Sequence, residues 1–145
     1  MEKMEKKESQ YCQCLYYSAN ALARIMTRVA DEEFASLGIT PSYAFLIMSV
    51  NSKPGIQPGE ISIEMQLTPS TVTRLIEKME HKGLLERRSN GKFTEVFTTP
   101  KGAEIIPAIK TCWMNLYKRY SSVLGEENAG QLTSMIYDAV RKLDS

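Results

Sequence analysis

The stretch between Thr68-Pro69 and Gly83 constrains the chain more than any other, because it carries both ends of a helix and the stripe that says how that helix is buried. Thr68 is an N-cap residue followed by proline at the first helical position, where a missing N–H is harmless, and Gly83 supplies the stop. Val72, Leu75, Ile76 and Met79 fall within about 100° of arc at 100° per residue, so one side must meet a core. The opposite side carries Ser70, Arg74, Glu77 and His81, flanked by Thr71, Thr73 and Lys78. Just upstream, Pro58 opens a shorter helix through Met65, with Ile61 and Met65 four residues apart, and only Leu67, Thr68 and Pro69 separate the two. Downstream, the strand-like runs 84–88 and 93–97 meet at Asn90-Gly91, the dipeptide favoured by type I′ turns.

Short helix, three-residue turn, capped helix and tight hairpin in that order make a winged helix-turn-helix pattern. The rest of the chain predicts helices on either side of it. No proline or glycine interrupts residues 9–37, and Leu15, Ala19, Leu22, Ile25 or Met26, and Val29 recur at spacings of three and four. A helix over that span would extend roughly 40 Å, longer than a compact small domain, so part of it is expected to pack on a second chain. Thr40-Pro41 opens a second helix with Tyr43, Phe45, Leu46, Ile47 and Val50, apolar on most sides and therefore a core helix, ending before Pro54-Gly55. Thr99-Pro100 opens a fifth helix carrying Ile105, Ile106, Ile109, Trp113, Leu116 and Tyr120, bent by Pro107 and ending near Gly125. Glu126 and Glu127 suit the positive end of a last helix striped with Leu132, Met135, Ile136, Ala139, Val140 and Leu143. The fold class expected is mainly α with a small β-hairpin wing (α+β), in one domain over residues 1–145.

Composition directs attention to where the charge lies. The chain has 145 residues, 43% hydrophobic and 24% charged, ordinary for a soluble globular protein, and a net charge of only +1. Between Thr68 and Lys101, however, stand seven basic and four acidic residues, a local +3, while the remainder carries 11 basic and 13 acidic groups, net −2. Affinity for a polyanion would therefore reside in the helix-turn-helix and hairpin. The longest mainly apolar run, residues 43–48, is far too short to cross a bilayer, and the first eight residues mix charges where a signal peptide would be basic and then apolar. A cytoplasmic protein without a membrane partner is expected. Cys12, Cys14 and Cys112 should be free thiols, and with His81 the only histidine no tetrahedral zinc site can be assembled. No metal and no cofactor is called for.

Small hydroxyl side chains at the start of the helix after Thr68 allow close approach to a major groove, and Ser70, Thr71 and Thr73 provide them. Arg74, one turn on, has the fork geometry to read a guanine edge or clamp a phosphate, and Lys78 adds charge below it. Arg87, Arg88 and Lys92 on the hairpin are placed to straddle the backbone or the minor groove. The bland alternative is a solvated polar face, common on amphipathic helices. An enzyme has little support: there is no glycine-rich phosphate loop, His81 has no paired nucleophile, and the carboxylates are scattered.

Over nearly its whole length the chain resembles the MarR family of transcriptional regulators. The resemblance rests on Glu60-Ile61, on the run 67–76, on the run 79–88 and on Thr98-Thr99-Pro100-Lys101-Gly102, all in order. It implies an obligate homodimer built by the first, fifth and sixth helices, residues 1–37 and 103–145, around a DNA-binding region 38–102. Each recognition helix would enter a major groove of a pseudo-palindromic operator and each wing the adjoining minor groove. The wing departs from the family pattern, since Ser89-Asn90-Gly91-Lys92 replaces a longer loop with an Asp-x-Arg or Asp-Arg-Arg element; Arg88 or Lys92 substitutes for it, or the wing touches phosphate alone.

The resemblance also implies a crevice between the dimer layer and the winged region, where a small-molecule effector would shift the spacing of the recognition helices and release a repressor from DNA. Tyr43, Met48 and Trp113 are candidates to line it, with ordinary core packing as the alternative. Cys12 and Tyr16 match the cysteine-to-tyrosine spacing of organic-peroxide sensors in the same family, which suggests a thiol-based regulator as a second reading, against semi-buried cysteines in a dimer interface. A third is a winged-helix module that binds protein rather than DNA.

Overall fold

The computed structural model describes residues 7–144; residues 1–6, which hold most of the mixed-charge start, and residue 145 lie outside it. Helix α1, Leu15–Phe34, begins later than expected, and residues 10–13 form a turn. Ser9 explains the delay: its Oγ accepts from the Tyr11 N–H at 3.1 Å and its carbonyl from Cys12 N at 3.1 Å, a local bonding pattern that competes with helix. At 20 residues α1 is about 30 Å long rather than 40. It passes through a 3-10 turn, Ala35–Leu37, into α2, Pro41–Ser52, with a bend of 67° between the two segments.

Helix α2 is the core helix that its composition predicts, with Ala44, Leu46, Ile47 and Val50 fully buried, although Phe45 stands out from it. Around it pack α3, Pro58–Met65, and α4, Pro69–His81, which place Ile61, Val72, Ile76 and Met79 in the same core. The hairpin strands β1, Leu85–Asn90, and β2, Phe93–Thr98, pair antiparallel, and a single further bridge joins Val96 to Ile56. Pairing of Asn90 with Phe93 makes Gly91 and Lys92 the two loop residues, rather than Asn90 and Gly91. Only Gly91 has positive φ, at 63°, so a glycine at the first central position gives the pattern of a type II′ turn, not the type I′ turn expected.

The expected fifth helix is two. Pro107 cannot continue the hydrogen-bond ladder of the turn before it, and the chain breaks at Ile105 into α5, Pro100–Glu104, and α6, Ile106–Leu124. Thr99 caps α5 through Gly102 N at 3.0 Å and donates to the Gly83 carbonyl at 2.6 Å, joining the end of the hairpin to the end of α4. Gly102 is pressed against this junction: a methyl group there would stand 2.1 Å from the Leu84 carbonyl oxygen. Helix α7, Glu126–Leu143, follows Gly125 and packs on α6.

Helix α6 packs on both α1 and α7. Arg119 of α6 binds Glu32 and Glu33 of α1, and hydrogen bonding by Glu32 raises its pKa above the usual guanidinium value. Most of the apolar stripe of α7 is uncovered within the chain; Met135 is 72% exposed and Leu143 79%, and only Ala129 is buried. Among the described residues no single helix is long and apolar enough to cross a membrane.

Candidate nucleic-acid interface

Local chemistry sets the N-terminus of α4. Thr68 Oγ1 accepts from Thr71 N at 3.4 Å and lies 2.9 Å from Thr71 Oγ1 and 3.3 Å from Ser70 Oγ, so three hydroxyls gather at the positive end of the helix. Thr73 points its hydroxyl hydrogen back at the Pro69 carbonyl, 3.0 Å away. Arg74 is exposed, and its Nη2 touches only Thr71 Oγ1, at 3.5 Å, among the described residues. Ser70, Thr73, Arg74 and Lys78 are open to solvent and Thr71 is half-buried, while Val72, Ile76 and Met79 lock the other side. The polar face is exposed, and among the described residues no acidic side chain pairs with Arg74.

Upstream, the turn into α4 includes Gln66, the one non-glycine residue with positive φ, 54°, among those described. Ser62 Oγ binds the Leu67 carbonyl there, and Leu67 N donates to the Ser62 carbonyl at 3.1 Å. Nothing in the sequence pattern marks Gln66, since glycine or asparagine is the usual sign of a left-handed residue.

Lys78 and the wing arginines are less free than their positions suggest. Lys78 Nζ lies 5.7 Å from the centroid of the Tyr43 ring, and Lys82 Nζ donates to the Gly38 carbonyl at 3.1 Å; both border a pocket of about 300 Å³ with Asp31 and Tyr43. Arg87 binds Glu80 of α4, Nε to Oε1 at 2.7 Å, while Arg87 N donates to Oε2 at 3.3 Å. Arg88 pairs with Glu86 and stacks on Phe97, its guanidinium carbon 4.4 Å from the ring centroid. Lys92 stands at the tip, exposed and without an ion pair among the described residues. Glu80, Glu86 and Phe97 were not foreseen as partners. For Glu86 and Phe97 the alternation of the hairpin held the signal, since residues 86, 88 and 97 share one face.

The crevice between the two layers is present, with a volume of about 840 Å³. Met48 and Trp113 line it as expected, but Tyr43 does not; one turn of α2 directs it to the α4 side, against Lys78. Phe45 takes its place, packed edge to face on Trp113 with centroids 4.3 Å apart, and Tyr137 of α7 closes the far wall. Cys12 and Tyr16 do not share the helix that their spacing presumes. Cys12 sits in the turn before α1, and among the described residues no hydrogen bond joins it to Tyr16, which is 80% exposed; the four-residue spacing aligns side chains only inside a helix, and this one begins at Leu15. Tyr11 instead packs on Tyr17, centroids 5.6 Å apart.

Known proteins place this arrangement in context. Residues 39–91, from the start of α2 to the wing tip, match the MarR family. The HTH-type transcriptional repressor MdtR of Bacillus subtilis is 26% identical over 140 residues, covering 92% of this chain and 90% of that one. YybA, an HTH-type transcriptional regulator of the same bacterium, is 24% identical over 92 residues, 61% of each chain, so the match spans about three fifths of that relative. The fold is shared with the transcriptional repressor CouR, at a TM-score of 0.84 and 20% identity in its structure with p-coumaroyl-CoA, covering 94% of this chain and 99% of that one. With a 23-mer DNA duplex bound, the same repressor superposes at 0.83 and 18% identity, covering 92% and 99%. Motif order, the family match over residues 39–91 and the shared fold agree on a winged helix-turn-helix similar to that of the MarR family of transcriptional regulators.

Proposed function

We propose that the protein binds a pseudo-palindromic double-stranded DNA site as a homodimer and represses transcription until a small molecule releases it. The observation that carries this reading is the exposed N-terminal half of α4, where Ser70, Thr73 and Arg74 stand clear while three buried residues hold the helix in the core. Ser70, Thr71, Thr73, Arg74 and Lys78 form the reading face, and Arg87, Arg88 and Lys92 the wing. The similar structures of CouR with DNA and the similarity to a repressor, MdtR, support it. In this reading residues 38–102 form the DNA-binding region, and residues 1–37 and 103–145 the dimerisation layer. The uncovered apolar stripe of α7 supports a second copy as its cover.

Selection of bound fragments from a random duplex pool, followed by anisotropy titration of the enriched site, tests the proposal. An Arg74→Ala protein should bind that site about 10- to 100-fold more weakly and lose preference at one base pair of each half-site. Equal binding to all duplexes would overturn sequence-specific recognition, and binding to none would favour a winged-helix module that binds protein without DNA. The effector reading rests on the crevice: a ligand held between the layers favours one separation of the two recognition helices, and a separation that misses the half-sites lowers affinity by mass action. CouR, with p-coumaroyl-CoA bound in one structure and DNA in another, supports such a scheme.

A further inference from the structure

The 840 Å³ crevice has a marked electrostatic bias. Of the described residues that line it, Glu64 is the only one with a formal charge. Ser49 and Ser52 belong to the last turn of α2 and Glu64 and Met65 to the last turn of α3, so the carbonyl ends of two helices border the space and add partial negative charge. The hydroxyls strengthen the bias. Ser52 donates its hydrogen to the Met48 carbonyl at 2.9 Å and Thr133 donates to the Ala129 carbonyl at 2.8 Å, so these two hydroxyls offer a guest only lone pairs, while Ser42, Ser49, Gln66, Trp113 and Tyr137 contribute neutral polar groups. Lys53, the cation that follows α2, is bound to Glu60 and does not line the crevice.

The apolar walls point to the same guest. Phe45, Trp113 and Tyr137 offer aromatic surfaces, and Met48 and Met65 add polarisable thioethers. Ring faces carry negative quadrupole charge and attract cations, most strongly where water is excluded. An anionic guest would meet a carboxylate and two helix C-termini without a basic partner among the lining residues, while the basic residues between 74 and 101 gather around α4 and the hairpin.

We propose that this crevice selects a lipophilic aromatic cation, an aryl-bearing ammonium whose charge faces Glu64 and whose ring packs among Phe45, Trp113 and Tyr137; the inference rests on reading the crevice as the effector site. Trp113 is the single tryptophan of the chain, so its emission reports occupancy directly.

The test titrates the full-length protein with three probes of one arylpropenyl frame: cinnamyltrimethylammonium, cinnamamide and cinnamate. Trp113 quenching should give the cation the tightest binding, about tenfold tighter than the anion, with the neutral amide between. Glu64→Gln should weaken the cation several-fold and leave the amide unchanged. Tightest binding by cinnamate, equal binding by all three, quenching by none, or a cation preference that survives in Glu64→Gln overturns the proposal. A separate arm adds the cation to the protein–DNA complex. Quenching with unchanged DNA affinity would refute the effector reading while the charge preference of the crevice stands; release from DNA by the cation supports both.

Discussion

Arg87 Nε lies 2.7 Å from Glu80 Oε1, so the first strand of the wing is fastened to the recognition helix by a side chain that charge counting alone would assign to DNA. Glu80 also accepts from Arg87 N at 3.3 Å, and the two bonds together fix the angle between β1 and α4. Because the pair is partly exposed, it should contribute only about 0.5 kcal/mol to stability. Its effect is expected in binding. Glu80→Ala and Arg87→Ala should weaken DNA affinity by similar factors, and the double variant should cost little more than either alone. If Glu80→Ala instead tightens binding, as removal of a negative charge near phosphate would, and the two effects add, Arg87 is a plain phosphate contact.

The wing tip presents two cations in different states. Lys92 is unpaired among the described residues, whereas Arg88 is held by Glu86 and the Phe97 ring. Lys92→Ala should therefore reduce the salt slope of DNA binding by about 1 without altering sequence preference, and Arg88→Ala should change the slope less. A changed base preference in Lys92→Ala, measured by repeating the fragment selection, would show that the tip reads the minor groove.

Gln66 occupies left-handed backbone, φ 54°, at the turn into α4, a conformation that costs a residue with a Cβ roughly 1 kcal/mol or more. Gln66→Gly should raise the midpoint of thermal unfolding, while Gln66→Val, β-branched, should lower stability by about 1–2 kcal/mol relative to the wild type. Equal unfolding midpoints for the three proteins would mean that the turn carries no strain.

The dimer reading makes its sharpest prediction on α7. Met135, 72% exposed within one chain, belongs to the stripe assigned to a second copy. Met135→Asp should shift the protein to monomer in sedimentation equilibrium and abolish tight binding to a two-half-site duplex, with its helical circular dichroism retained. A variant that stays dimeric places the interface elsewhere.

Much of this was legible in the residues because the signals were local. Thr68, Pro69 and Gly83 bound a helix that runs Pro69–His81, and the stripe Val72, Ile76, Met79 is buried as its spacing requires. The misses have long-range or competing local causes. Ser9 bonds its own neighbourhood and delays α1, which removes the helical relation between Cys12 and Tyr16. A loop with glycine flanked by Asn90 and Lys92 admits two registers, and the pairing of Asn90 with Phe93 chose the second. The Tyr43 ring could have served either layer; rotation of α2, set by its buried residues, sent it to Lys78. Glu80 met Arg87 through tertiary packing, which no periodicity records.

The hydrogen bond from Thr73 to the Pro69 carbonyl limits what that side chain can say to a base pair. With its proton committed, the hydroxyl offers lone pairs alone, and in a major groove only the exocyclic amines of adenine and cytosine can donate to them. In the proposed complex the operator should therefore hold an amino-bearing base beneath Thr73, and guanine or thymine at that place would bring two acceptors face to face.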